Sequence, residues 1–257
     1  MECKKHFQII GNGSESIVVA GPDIGEVTKI YTGHSKDAAL AAARSEFEIL
    51  LSLSKVRSSG VRTPKPYKII QSDHVGLVME KCEGTKFPEF MLTHGCTHQI
   101  IQLIAGRLFK FIKEYVDLNN RPYLDCEPGN IMFDYESSEV VALDFSIGKF
   151  RKPTMDPTDC PFVVSLSEFL SSLLFMSVMP KFIFNTEFRE RCGLMADELV
   201  ALYLKTDGRS IELFKRVLLS YRTRITCLGI RNKIWFLCLY PVIYKKLLQT
   251  RIIDVLK

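Results

Sequence analysis

The stretch that decides the fold reads Tyr123-Leu124-Asp125-Cys126-Glu127-Pro128-Gly129-Asn130-Ile131-Met132-Phe133. It opens as a loop that carries a carboxylate and then a carboxamide, and it ends in a short strand. A second apolar strand, residues 140–143, follows and leads into Asp144. Because two such strands pair as a hairpin, we expect Asp125, Asn130 and Asp144 to meet at one end of it.

Three oxygen-bearing side chains in one place suit magnesium and a transferred phosphoryl group, since hard cations prefer carboxylate and carboxamide oxygens. The stretch resembles the catalytic loop and the metal-binding aspartate of protein-kinase-like phosphotransferases. The run Asp-x-x-x-Gly-Asn with Pro128 is closer to antibiotic, choline and lipopolysaccharide kinases than to ordinary protein kinases. Two places depart from the pattern. The family has His-x or His-Gly before the catalytic aspartate, where this chain has Tyr123-Leu124, and Ser146 replaces the glycine of Asp-Phe-Gly.

A glycine-rich turn lies near the start of the chain. Gly11-Asn12-Gly13-Ser14 separates two strand-like runs, which predicts a hairpin whose backbone can approach a phosphate closely. An ordinary β-turn would show the same pattern. Set against the kinase glycine-rich loop, the resemblance matches Gly11, Gly13 and Val18 and puts Ser16 in place of the third glycine.

A lysine and a glutamate follow at the spacing of a strand and a helix. The residues 26–31 predict a strand that contains Lys29, and the next segment predicts a helix with Glu46 on its mostly apolar stripe. An unpaired buried carboxylate is expensive, so Glu46 needs a cation, and Lys29 is the nearest upstream candidate. The two resemble the lysine–glutamate pair of kinases. Glu48 is the competing choice, which we interpret as a solvated residue.

The segment 76–84 reads as a strand that runs into a linker ending in glycine. It resembles the kinase hinge, with Met79 in the gatekeeper place and Glu80 to Cys82 offering backbone groups to adenine. The composition changes here from strand-rich to helix-rich. We therefore expect an α+β, two-lobed protein-kinase-like fold, with a strand-rich lobe at 1–82 and a helical lobe at 83–257 that holds the catalytic loop and a basic tail.

The resemblance implies ATP and magnesium as cofactors. Lys29, oriented by Glu46, would grip the α- and β-phosphates, Asn130 and Asp144 would hold magnesium, and Asp125 would accept the proton of the acceptor hydroxyl. The implied nucleotide-binding residues are Gly11, Gly13, Ser14, Val18, Lys29, Met79, Glu80 and Cys82.

The acceptor is open at this point. After Asp144 there is no Ala-Pro-Glu and no evident long activation segment, as in lipopolysaccharide-core sugar kinases, RIO kinases and the small kinase of the KEOPS complex. This shortness favours the hydroxyl of a glycan or small molecule. An atypical protein serine/threonine kinase is the alternative, and a pseudokinase binding module is a second one that Tyr123, Ser16 and Ser146 keep open.

The eight cysteines are scattered, without a C-x-x-C pair or a Cys/His cluster, which argues against a zinc site and a disulfide framework. The N-terminus is polar and no apolar run is long enough to cross a bilayer, so we expect a cytoplasmic protein.

The charge is uneven along the chain. Residues 215–257 carry ten Lys/Arg against one acid, so this basic tail is +9 and the rest is −4. Its apolar, aromatic run 234–244 is too short to span a membrane. We expect the tail to be buried on one side and to face lipid headgroups or phosphorylated substrate on the other, which would make the protein peripheral at the inner face of the membrane. Nucleic acid stays an alternative without a recognisable RNA-binding signature.

Overall fold

The N-terminal region folds into a five-stranded antiparallel sheet. A computed structural model describes residues 8–13, 16–32, 35–55, 59–145, 160–179, 181–206, 213, 215–217 and 219–220. The strands of this sheet are β1 (Ile9–Asn12), β2 (Ser16–Ala20), β3 (Glu26–Tyr31), β5 (Pro66–Gln71) and β6 (Val75–Glu80). Their order is β1-β2-β3-β6-β5, so β3 lies in the middle with a neighbour on either side.

One helix, α1 (Lys36–Leu53), packs against this sheet. It begins after Ser35, whose side chain accepts a hydrogen bond from the N–H of Ala38 at 3.4 Å and so caps the first turn. Glu46 lies on the buried face of the helix and Glu48 on the exposed face, as the periodicity predicted. The helix therefore carries a carboxylate toward β3.

A second, four-stranded sheet contains the hairpin that follows the loop at residues 125–130. Its strands are β4 (Val61–Arg62), β7 (Thr85–Lys86), β8 (Ile131–Asp134) and β9 (Glu139–Ala142), in the order β4-β9-β8-β7. The hairpin predicted from sequence is confirmed, because β8 and β9 pair antiparallel. The short strand β4 precedes the first sheet's last two strands in sequence, yet it pairs parallel with β9 and so ties the two sheets together.

The remainder is helical. The helices are α2 (Phe87–Phe90), α3 (His98–Asn119), α4 (Pro161–Ser177) and α5 (Thr186–Thr206). The long helix α3 packs against both α4 and α5. Its C-cap is Asn120, which adopts the left-handed conformation (φ 48°) typical of a helix C-terminus. One apolar core runs from the first sheet through α3 and α4 to α5.

A strand-rich N-terminal part and a helical remainder thus form the expected α+β fold of two lobes. The lobe limit near residue 82 stays a prediction. Within the described ranges, no helix is both long and apolar enough to cross a membrane. Apart from a few residues up to Ser220, the basic tail lies outside the described residues, and its contact with an anionic surface stays a prediction.

The core position of α3 leads to a stability prediction. Ile104 is fully buried and its neighbour Leu103 is 40% exposed. We expect Ile104→Ala to lower the free energy of unfolding by about 2–5 kcal/mol, because it removes buried apolar atoms and leaves a cavity. Leu103→Ala, the matched control, should change it by no more than about 0.5 kcal/mol. Urea unfolding measures both, and equal losses would contradict the assignment of the buried face.

Candidate active site

A cleft of about 320 Å³ lies between the first sheet and the β8–β9 hairpin. The residues predicted from sequence that line it are Gly11, Gly13, Val18, Lys29, Glu46, Met79, Glu80, Cys82, Asn130 and Asp144. Ser14 lies outside the described residues. Asp125 does not line the cleft itself but contacts Asn130, which does. Side chains from distant parts of the chain are therefore gathered around one cavity.

The predicted ion pair between Lys29 and Glu46 is present. Lys29 Nζ lies 3.0 Å from Glu46 Oε1 and 2.8 Å from Oε2. Both residues are buried, at 3% and 1% exposure. Strand alternation turns Lys29 toward α1, where Glu46 faces it, so each charge compensates the desolvation of the other.

Lys29 also contacts the metal-binding candidate. Its Nζ lies 2.7 Å from Oδ1 of Asp144, whose side chain is 31% exposed. Burial acts to lower the pKa of Lys29, but the carboxylates of Glu46 and Asp144 outweigh it and raise that pKa above its ordinary value. Lys29 is therefore a fixed cation between two carboxylates at neutral pH.

Two further donors on Glu46 were missed by the sequence reasoning. The Tyr31 hydroxyl donates to Oε2 at 2.6 Å, and the Phe145 N–H donates to Oε1 at 3.2 Å. Tyr31 carried a signal in the sequence, because a residue two positions after Lys29 in a strand lies on the same face. The Phe145 contact had none, since it joins residues 99 positions apart.

The neighbours of Asp144 are held by Tyr123. The Tyr123 hydroxyl donates to the carbonyl of Leu143, and its ring stacks on Phe145 with centroids 4.9 Å apart. Its own N–H donates to Ser165 Oγ at 2.9 Å, which anchors it to α4. Tyr123 therefore supports the residues before and after Asp144. The backbone of Asp144 itself is left-handed (φ 55°).

Asn130 organises the loop at residues 125–130. A 3-10 turn at Pro128–Asn130 leads into β8. The Asn130 Nδ2 donates to the carbonyl of Asp125 at 3.0 Å and to its Oδ2 at 2.9 Å. The carbonyl of Asn130 accepts from Leu143 N–H at 2.8 Å. One residue thus orients the Asp125 carboxylate and ties the loop to the end of β9.

The donor chemistry of the cleft fits magnesium and a nucleotide. Asp144 and Asn130 offer a carboxylate and a carboxamide, which is the small set of hard oxygens that Mg²⁺ uses when phosphates and water complete its shell. In the part of the chain that the structure describes, no three His, Cys, Asp or Glu side chains group as a metal site. The walls suit a planar base, with apolar side chains from Val18, Val27, Met79, Met132 and Leu143.

The segment that was predicted to be the hinge is hydrogen-bonded to neighbouring segments. The N–H of Glu80 donates to the carbonyl of Lys65 at 2.9 Å, and that of Lys81 to the carbonyl of Gly25 at 2.8 Å. These two N–H groups are therefore engaged within the protein, and the offer of backbone groups from Glu80 to Cys82 to adenine stays a prediction. Neighbouring segments thus accept backbone hydrogen bonds from the chain as far as Lys81. Cys82 is the first residue of the predicted hinge after these bonds.

The solved structures that are similar to this chain share little of its sequence. No protein-family model matches the chain, and no curated protein shows significant similarity to it. A kinase domain from Plasmodium has a TM-score of 0.47 at 16% identity over 77% of this chain and 65% of that one. Rad53 1–466 in complex with AMP-PNP has a TM-score of 0.44 at 16% identity over 89% and 55%. This chain therefore spans less than two thirds of either structure.

The environment of Cys82 leads to a pH prediction. Burial raises the pKa of its thiol from 9.0 to about 11, so at pH 8 its thiolate fraction is about 100-fold below that of an ordinary thiol. We expect iodoacetamide at pH 8 to modify the exposed Cys160 well before Cys82, and Cys82 to react faster as the pH rises toward 11.

Peptide mass spectrometry resolves the two sites in one digest. Chain unfolded in urea is the control, and there the two cysteines should react at similar rates. Faster modification of Cys82 than of Cys160 in the folded protein would contradict the burial of its thiol.

Proposed function

We propose that this chain is an ATP- and magnesium-dependent phosphotransferase that moves the γ-phosphate to a hydroxyl group. One observation carries the proposal: Lys29 is held between Glu46 and Asp144 at the floor of a nucleotide-sized cleft, next to the Asp125–Asn130 pair. A buried cation, a metal-type donor pair and a carboxylate oriented for proton transfer are the parts that phosphoryl transfer needs.

Each residue has a role in this proposal. Lys29 presents its ammonium group to the phosphates, and Glu46 keeps it in place. Asp144 and Asn130 hold magnesium, which neutralises charge on the phosphate oxygens when bound. Asp125 positions the acceptor hydroxyl and takes its proton as the new O–P bond forms, while the bond to the β-phosphate oxygen breaks and ADP leaves. Placement and fixed charges supply most of the rate.

We propose a small molecule or glycan, such as a sugar of a lipopolysaccharide core, as the acceptor. Support comes from the connection between Phe145 and α4: residues 146–160 are all that separates them. A peptide acceptor usually docks on a longer segment at this place, so the shortness favours a compact substrate. A protein serine/threonine acceptor is the alternative.

Substitution of the two aspartates tests the chemistry. We expect Asp125→Asn to reduce transfer from ATP by about 10²–10⁴-fold, because the base is lost, while stabilisation of the fold by magnesium and ATP persists. Asp144→Asn should abolish both transfer and this magnesium-dependent stabilisation, because the metal ligand is lost. Phosphate transfer from labelled ATP and thermal unfolding with and without magnesium measure the two effects.

Asp117→Asn, on the exposed side of α3, is the matched control and should leave both quantities unchanged. An Asp144→Asn variant that transfers phosphate at the wild-type rate would refute the metal role. Equal loss of nucleotide binding in both active-site variants would refute the separate role of Asp125.

Separate acceptor pools test the substrate class. We expect γ-labelled ATP to label cell-envelope glycan or small alcohols and to leave a generic protein substrate unlabelled. Label in the protein pool alone would overturn the small-acceptor proposal in favour of the protein kinase. The Asp125→Asn variant gives the background in each pool.

A further inference from the structure

Tyr31 is the last residue of β3 and lies beside the Lys29–Glu46 pair. It is two residues after Lys29, so its side chain leaves the strand on the same face. The ring is buried, at 6% exposure, and Lys29 Nζ lies 5.5 Å from its centroid. Its hydroxyl points into the ion pair and donates to Glu46 Oε2 at 2.6 Å.

The hydrogen bonds that the structure gives Glu46 show what Tyr31 contributes. Oε1 accepts from Lys29 and from the Phe145 N–H, and Oε2 accepts from Lys29 and from Tyr31. Lys29 is proposed to contact the phosphates, and Phe145 follows the proposed metal ligand Asp144. Tyr31 is the donor from the first sheet that takes no part in the proposed chemistry itself.

Geometry gives the consequence of losing that donor. Lys29 Nζ is about equally far from Glu46 Oε2 and Asp144 Oδ1, at 2.8 and 2.7 Å. Burial and the neighbouring Glu46 carboxylate raise the pKa of Tyr31 far above its ordinary value, so the hydroxyl stays a donor. Without the Tyr31 hydroxyl, the Glu46 carboxylate could rotate away from Lys29. Lys29 would then form its ion pair mainly with Asp144.

We propose that Tyr31 is a positioning residue that aligns Glu46, so that Lys29 is shared between the two carboxylates and Asp144 stays available to magnesium. The inference rests on the proposed function, since it gives Tyr31 a part in magnesium–nucleotide binding. It goes beyond the lysine–glutamate pair, because it adds a third side chain on which the geometry of that pair depends.

Tyr31→Phe tests the proposal, since it keeps the ring, its burial and the contact with Lys29 and removes only the hydroxyl. In the full chain with ATP, thermal unfolding is followed as magnesium rises from EDTA conditions to millimolar concentrations. We expect the magnesium concentration for half-maximal stabilisation to rise roughly ten- to hundredfold, as for loss of a hydrogen bond to a charged group. Tyr67→Phe, the same change at an exposed tyrosine of the first sheet, should leave the titration unchanged.

Glu46→Gln weakens the same hydrogen bond from the acceptor side and should raise the half-maximal magnesium concentration as well. Adding Tyr31→Phe to it should cause little further change, because both substitutions act on one contact. Independent, additive effects would overturn action through Glu46.

A Tyr31→Phe titration that superposes on the wild type would overturn the positioning role, even if the variant unfolds at a lower temperature without nucleotide. In that result the wild type still responds to magnesium and ATP, so the proposed function stands. A wild-type chain that ATP and magnesium fail to stabilise would instead overturn the proposed function and the role of Tyr31 with it.

Discussion

The carboxylate of Glu46 is the group on which the arrangement of the site depends. It is 1% exposed, and removing an ionised carboxylate from water is costly unless cations and hydrogen-bond donors compensate it. Its donors come from β3, through Lys29 and Tyr31, and from the segment after β9, through Phe145. Satisfying this one charge therefore holds the sheet, α1 and the segment that contains Asp144 in a single relative position.

The contacts that compensate the charge of Glu46 also fix the Lys29 ammonium group beside the cleft. Lys29 is already fixed between two carboxylates, so in the proposed reaction little reorganisation would remain when a phosphate binds, which is how placement and fixed charges lower a barrier. Removing one partner would leave an uncompensated buried charge, so stability and chemistry depend on the same side chains here. Asp144, more exposed than the other two, is the member that faces the cavity.

Two residues that depart from the predicted kinase pattern make local contacts near the cleft. Tyr123 stands where the predicted pattern has histidine. Its hydroxyl donates to the carbonyl of Leu143 and its ring stacks on Phe145. Ser16 replaces a glycine, and its carbonyl accepts the N–H of Gly13 at 2.8 Å, which closes the turn over the cleft. Ser146 lies outside the described residues.

Local patterns in the sequence determined the elements. The strand with Lys29, the helix with Glu46 on its buried face and the β8–β9 hairpin follow from periodicity and turn residues, which act between near neighbours. The tertiary structure alone decided that Phe145 donates to Glu46, that Tyr123 bonds Leu143, that β4 pairs with β9, and that the Glu80 N–H is taken by Lys65. These contacts join segments whose meeting depends on the path of the whole chain, and neither periodicity nor spacing encodes that path.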